Sequence, residues 1–292
     1  MGRIWTGVLV LTATCAAPDP SEEPRTAPKA SPPASAAPSP SLAACLTGDP
    51  AERFRLPAAL REVSGLAATA DGHLLVHDDE RGQIAEVDPA GKIVKAIALA
   101  PPVSADFEGI AVAGDKIFLL ISDGRLVETR DGGPGQPAPY TLHRTGLGKA
   151  CEFEGLAYEP DDQSLLLLCK TAKMKELRGT LTAFRWSVPE RRLLSPDRIS
   201  IALPGAFAER YGRDFRGSAL ERHPGKGHYL ALSSTGRVAV LFSRDGELID
   251  TAPLSRAHQQ PEGLAILADG RVVVGDEGGK GAGTLTIYSC GR

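Results

Sequence analysis

The chain predicts an all-β fold, a five-bladed β-propeller of four-stranded antiparallel blades. A polar segment running into glycine and small apolar residues occurs five times, the copies are spaced by about one blade, and glycine-turned strands fill the intervals. The copies are Glu62-Val-Ser-Gly-Leu-Ala67, Asp106-Phe-Glu-Gly-Ile-Ala111, Glu152-Phe-Glu-Gly-Leu-Ala157, Asp214-Phe-Arg-Gly-Ser-Ala219 and Gln260-Pro-Glu-Gly-Leu-Ala265. Their glycines Gly65, Gly109, Gly155, Gly217 and Gly263 lie 44, 46, 62 and 46 residues apart. A propeller blade takes roughly 40–45 residues, and these steps match it rather than a helical hairpin or a leucine-rich turn.

Each unit reads as four strands on polar turns. In the first, Val63–Thr69, His73–Asp78, Gln83–Asp88 and Lys92–Leu99 are separated by turns ending at Gly72, Gly82 and Gly91. The 62-residue step is too short for two units, and its surplus falls on the loops Thr171–Gly179 and Pro204–Arg213, the second with room for one helical turn. The last unit supplies three strands, Glu262–Leu267, Arg271–Asp276 and Thr284–Ser289. Arg53-Phe-Arg-Leu56, ahead of the first repeat, is the expected fourth, which would close the ring and cover an open sheet edge.

Residues 1–15 have a basic start, an apolar stretch and small residues before Cys15, the pattern of an export signal with a lipidated cysteine. Residues 16–44 are rich in proline, serine and alanine and read as a disordered tether, leaving 45–292 as the propeller. The expected location is a bacterial envelope, periplasmic or outer-surface, with the membrane touched only through a lipid anchor. The remaining cysteines form an even set that suits an oxidising compartment. Cys151 and Cys169 fall nearly opposite each other if a hairpin turns at Pro160-Asp-Asp162, and Cys45 and Cys290 flank the expected closing strands. The alternative is that some of these four are simply small buried residues. A net charge of −3 and the lack of a basic stripe argue against nucleic acid as a partner. A monomer is expected.

In a propeller the innermost strands face one axis, so the residues before the five glycines meet there: Ser64, Glu108, Glu154, Arg216 and Glu262. Three carboxylates forced together either take up protons or recruit a cation, and an all-oxygen set points to calcium on Ser64, Glu108, Glu154 and Glu262. Two alternatives stand beside it: Arg216 neutralising the glutamates as a metal-free plug, and a water-filled channel. Ser218, on the same side of the strand as Arg216, is a possible oxygen donor in its place.

The segments DFEGIA, EFEGLAY and QPEGLAI, with Glu62-Val-Ser-Gly65 opening the first unit, resemble the SdiA-regulated proteins, exported bacterial five-bladed propellers, over roughly residues 50–290. The chain is also distantly similar to calcium-dependent apyrases, whose ring order Ser, Glu, Glu, Ser, Glu implies calcium ligands at Ser64, Glu108, Glu154 and Glu262, with Arg216 departing at the fourth place. The resemblance implies fold and export more firmly than a reaction.

The second strand of each unit ends at the same mouth, in His77-Asp-Asp-Glu80, Ser122-Asp123, Lys170, Ser233-Ser234 and Asp276-Glu277. His77 with Asp78 is the candidate acid–base pair and Lys170 the candidate holder of an anionic substrate. Ordinary turn chemistry explains the same residues without function. No Gly-x-Ser-x-Gly elbow or His-Glu-x-x-His helix is present. Three functions compete: binding or calcium-dependent hydrolysis of a small anionic molecule, such as a phosphate ester; a non-catalytic envelope module binding a protein partner; and a lactonase-like metal hydrolase.

Overall fold

A computed structural model describes Gly2 and residues 41–290, apart from 134 and 212–214. The expected signal segment apart from Gly2, with Cys15, and most of the tether lie outside the described residues.

The chain forms successive antiparallel meanders. The first comprises β2 (Val63–Ala68), β3 (Leu74–Asp78), β4 (Gln83–Val87) and β5 (Ile93–Ala100), preceded by β1 (Glu52–Arg55). Next come β6 (Phe107–Ala113), β7 (Lys116–Ile121), β8 (Arg125–Thr129) and β9 (Ala138–Arg144). These two meanders join through a short parallel pairing of β5 and β9 at Leu99↔Ala138 and Ala100↔Pro139. The third holds β10 (Cys151–Glu159), β11 (Ser164–Ala172), β12 (Thr180–Ser187) and β13 (Arg192–Ala202). The fourth holds β14 (Ala219–Arg222), β15 (Tyr229–Ser233), β16 (Val238–Phe242) and β17 (Leu248–Pro253). The last meander is β18 (Pro261–Ile266), β19 (Val272–Asp276) and β20 (Thr284–Tyr288). β1 adds to it antiparallel, with Arg53 opposite Thr286, so the N-terminal strand supplies its fourth member as the sequence suggests.

The alternation that builds these strands also packs them. Apolar residues of each meander meet those of the next, and a further layer joins the last meander to the first through Leu66, Val76, Val273 and Ile287. Phe118, Phe153 and Trp186 lie in the layer between the second and third meanders. The long third step holds a 3₁₀ turn at Lys175–Leu177 and a helix, α2 (Gly205–Tyr211), whose Phe207 is buried beside Phe215.

Ahead of β1, the short helix α1 (Leu42–Cys45) is capped by Ser41, whose Oγ accepts from the Ala44 amide at 3.1 Å. Leu42 and Ala43 are buried between the fourth and last meanders. Ordered packing thus begins a few residues ahead of the expected boundary at 45. Both expected disulfides are present, Cys45–Cys290 beside that closing pair and Cys151–Cys169 within the third meander. The first ties positions 245 apart in sequence, which withdraws much freedom from the unfolded chain.

The first strands of the meanders touch in the order β2, β6, β10, β14, β18, and β18 touches β2. Their approach is close enough to exclude side chains. A Cβ on Gly109 would lie 3.0 Å from the Leu156 amide nitrogen, and one on Gly155 would lie 3.0 Å from Ala219 C and Leu220 N. Gly155 also has φ +101°, a region that penalises any side chain. Gly155→Ala should therefore cost about 2–4 kcal/mol of folding stability, read by urea unfolding with disulfides intact. A loss below about 0.5 kcal/mol would show that the inner strands can part.

Candidate functional site

The inner strands β2, β6, β10 and β18 are irregular at the same place. Pairing shifts register between Val63 and Gly65, Phe107 and Gly109, Phe153 and Leu156, and Pro261 and Gly263. The residues left over are Ser64, Glu108, Glu154 with Gly155, and Glu262, so four of the five expected ring residues fall within a β-bulge. A bulge re-aims the side chain it carries, and here it repeats at one level in four meanders.

The fourth meander corrects the sequence reading. Gly65, Gly109 and Gly263 pair with the fourth residue of the neighbouring strand or its equivalent, His77, Leu120 and Gly275. In β14 the residue so paired is Ala219, opposite Leu232. Ser218, not Arg216, therefore stands at the ring position. It is buried, its Oγ donates to the Pro261 carbonyl at 2.7 Å and accepts from the Ser234 amide at 3.1 Å. Arg216 is exposed at the rim, in register with Glu62, Asp106, Glu152 and Gln260. It makes no ion pair with the glutamates among the described residues.

Lys170, at the end of β11's apolar run, reaches in instead. Its ammonium lies 2.5 Å from Glu154 Oε2 and 3.8 Å from Glu108 Oε1. Burial raises the carboxyl pKa values, and the acidic neighbours add to it while Lys170 opposes them: Glu262 to about 7, Glu108 to about 8 and Glu154 to about 9. These groups titrate as one set rather than as separate residues. For Lys170, burial works against the charge, but Glu154 and Glu108 outweigh it and its pKa is raised. The ring thus carries two carboxylates more than its one ammonium can neutralise.

The acid–base expectation for His77 does not hold. The side chain is fully buried, Nδ1 donates to the Asp78 carbonyl at 2.9 Å, and Nε2 has no hydrogen-bond partner. Gly65 is the reason it fits, because a Cβ there would come within 2.4 Å of Nε2. Burial lowers its pKa to about 4 and keeps the ring neutral, out of reach of a ligand at the mouth. Asp78 is occupied as a turn cap, its Oδ1 accepting from the Glu80 and Arg81 amides. Asp79 is different: Oδ1 is buried without a hydrogen bond, and its charge acts on Glu262 and Glu277. Of the other mouth residues, Asp123 pairs with Arg125, and Ser233 Oγ caps the Gly236 amide at 3.1 Å.

Two polar features escaped the sequence. His258 is buried, with Nδ1 2.7 Å from Asp276 Oδ2 and Nε2 2.7 Å from the Tyr288 hydroxyl, so Asp276 is held by a partner 18 residues away. Asp71 and His73 at the β2–β3 turn and Glu86 on β4 bring three ligand atoms within 4.8 Å of one another, and among the described residues no other three Asp, Glu, His or Cys side chains do. The ring carboxylates accordingly stand farther apart than that.

Among solved structures, glutaminyl cyclase from Myxococcus xanthus is 15% identical with a TM-score of 0.57, over 82% of this chain and 94% of that one. A luciferin-regenerating enzyme is 8% identical with a TM-score of 0.51, over 81% and 94%. A protein of unknown function from Bacteroides thetaiotaomicron is 13% identical with a TM-score of 0.51, over 79% of this chain and 57% of that one. The chain matches no protein-family model. These likenesses show a β-propeller-like fold and, at such identities, no shared chemistry.

The raised carboxyl values fix the sign of a pH effect. Unfolded glutamates titrate near 4.5, so the folded ring holds protons that the unfolded chain has released. Stability contributed by the protonated ring is full below that value and is lost as pH rises toward about 9. Glu108→Gln should flatten the fall in stability between about pH 5 and 9 in chelator-treated protein, measured by urea unfolding at each pH. An unchanged slope would show that Glu108 does not titrate in this range.

Proposed function

We propose that the chain is an exported, lipid-anchored five-bladed propeller of the SdiA-regulated type whose axial ring binds calcium and whose mouth takes up a small anionic molecule beside that ion. The observation that carries this reading is the excess of buried carboxylate: three bulge-set glutamates against one lysine. With Ser218 at the fourth place, the ring order is Ser64, Glu108, Glu154, Ser218, Glu262, the order that the apyrase resemblance implies, and the departure at Arg216 is removed.

The donor chemistry suits a hard cation, which would have to draw the ring carboxylates closer together than they stand. All five side chains offer oxygen, none offers sulfur or nitrogen, and Asp79 adds a buried carboxylate oxygen without a hydrogen bond. A bound calcium would supply charge neutralisation and a Lewis-acidic point for an oxyanion. Glu108, Glu154 and Glu262 would hold it with the two serines, while Lys170 holds Glu154 in its absence. Two disulfides accord with an oxidising compartment, and among the described residues no helix is long and apolar enough to cross a membrane. Binding is better supported than hydrolysis, since His77 is withdrawn from the mouth.

A second reading has its own observation. The 2.5 Å contact of Lys170 with Glu154 makes a Lys–Glu plug, in place of the expected Arg–Glu one, and suits a non-catalytic envelope module.

Chelator-stripped protein titrated with calcium and magnesium separates the two. Calcium should raise the thermal midpoint with the logarithm of its concentration, amounting to about 2.7 kcal/mol at a hundred times Kd. Glu108→Gln should abolish the rise while the circular dichroism stays native, and Lys170→Met should tighten calcium binding by removing the internal competitor. No calcium-specific rise would leave Lys170 as the ring's cation and favour the envelope module.

A further inference from the structure

Beside the acidic ring lies a cleft of opposite character. It has a volume of about 60 Å³ and is lined by Lys170, Thr171, Arg178, Thr180, Phe215 and Arg216. One wall is the end of β11 and the loop leading to β12; the other is the segment ahead of β14. Both walls are fixed. Lys173 donates through Nζ to the Gly148 carbonyl at 2.9 Å, and its amide bonds the Ala150 carbonyl, which pins the loop back onto the meander. Leu177 and Phe215 are buried beneath the cleft, and Gly217 packs so tightly on Leu168 that a Cβ would come within 2.3 Å of it.

The charges facing this cleft are unbalanced. Arg178 and Arg216 come from different walls, and neither guanidinium makes an ion pair or a hydrogen bond among the described residues. Lys170 closes the inner end, its ammonium shared with Glu154 and Glu108. A guanidinium without a carboxylate keeps all its N–H donors for a planar or tetrahedral oxyanion, which it meets in a fork. The cleft is too small for more than one such group. Of the acids nearby, Glu154, Glu108 and Glu152 act on Lys170, which lines the cleft and touches the ring.

We propose that this cleft is a subsite for a single oxyanion group, carboxylate or phosphate, held by Arg178 and Arg216 with Lys170 at its inner end. It deepens the reading of the mouth as a ligand site, since a ligand spanning ring and cleft carries an anion beside a bound cation. It does not depend on calcium, because neither arginine belongs to the ring. Lys170 serves both places: a cation in the ring frees its ammonium for the anion, so the two ligands bind with positive coupling.

The test uses metal-free protein at constant ionic strength, with inorganic phosphate and acetate as probes in separate calorimetric titrations. One probe should bind saturably at one per chain, and whichever binds more tightly names the class. Arg216→Gln and Arg178→Gln should each weaken it at least tenfold, whereas Arg53→Gln, which removes the same charge from β1, should leave it unchanged. Arg216→Gln should keep the calcium response, and Glu108→Gln should keep the oxyanion response. Absence of saturable binding by both probes, or affinity in either cleft variant unchanged from the parent protein, overturns the subsite. Loss of the calcium response alone overturns the ring and leaves the cleft standing.

Discussion

The inner strands approach until backbone meets backbone, and the site follows from that contact. Where Gly109 and Gly155 sit, no Cβ can be placed without pressing on Leu156 or on the Ala219–Leu220 peptide. In four of these strands the ladder with the hairpin partner is irregular where they meet, whereas β14 stays regular with β15. The bulges at Ser64, Glu108, Glu154 and Glu262 absorb the misfit, and the residue a bulge carries is the one turned out of the pleat. Glycine and ring residue are therefore one device, which is why they recur as a pair along the chain.

Placing carboxylates there is costly, and the cost shapes the chemistry. Burial favours the protonated form, each glutamate worsens the next, and only the lysine from β11 relieves them. Three responses are open to such a set: protons, an internal ammonium, or an external cation. Lys170 supplies the second for Glu154 and part of Glu108, while Glu262, which Lys170 also relieves without an ion-pair contact, stands among Glu277, Asp79 and Asp276 of its own sign. Protons and metal then compete for the remainder, so pH and cation concentration act on one and the same group of atoms.

Much of this was legible in the sequence. The strand limits of the first unit, the exchange that brings β1 to β20 and both disulfides follow from turn residues and cysteine placement. Two errors have physical causes. The fourth repeat was aligned on Gly217 because glycine is the visible anchor, yet pairing with β15 puts Ala219 in that place, and alanine is small enough for the contact. His77 looked catalytic because Asp78 and Asp79 adjoin it, but neighbours on a strand point to opposite faces, and His77 faces the layer shared with Phe107. The reach of Lys170 into the ring, and the hold of His258 on Asp276, depend on distances between strands that no local pattern records.

The two-residue displacement in the fourth repeat does more than correct an alignment. An arginine in the ring would bring the bases there to two against three acids, and the centre would lie close to neutral. With Ser218 in the ring the acids keep their excess, and Arg216 moves to the rim, where it faces Arg178 across the cleft rather than the glutamates. One shift in register thus separates groups that would otherwise pair, leaving an acid-rich ring with a basic edge on the side of the third and fourth meanders. Serine in the ring satisfies its hydroxyl on the Pro261 carbonyl and so bridges the fourth meander to the last without adding charge. The polarity of the mouth is a property of backbone register before it is a property of composition.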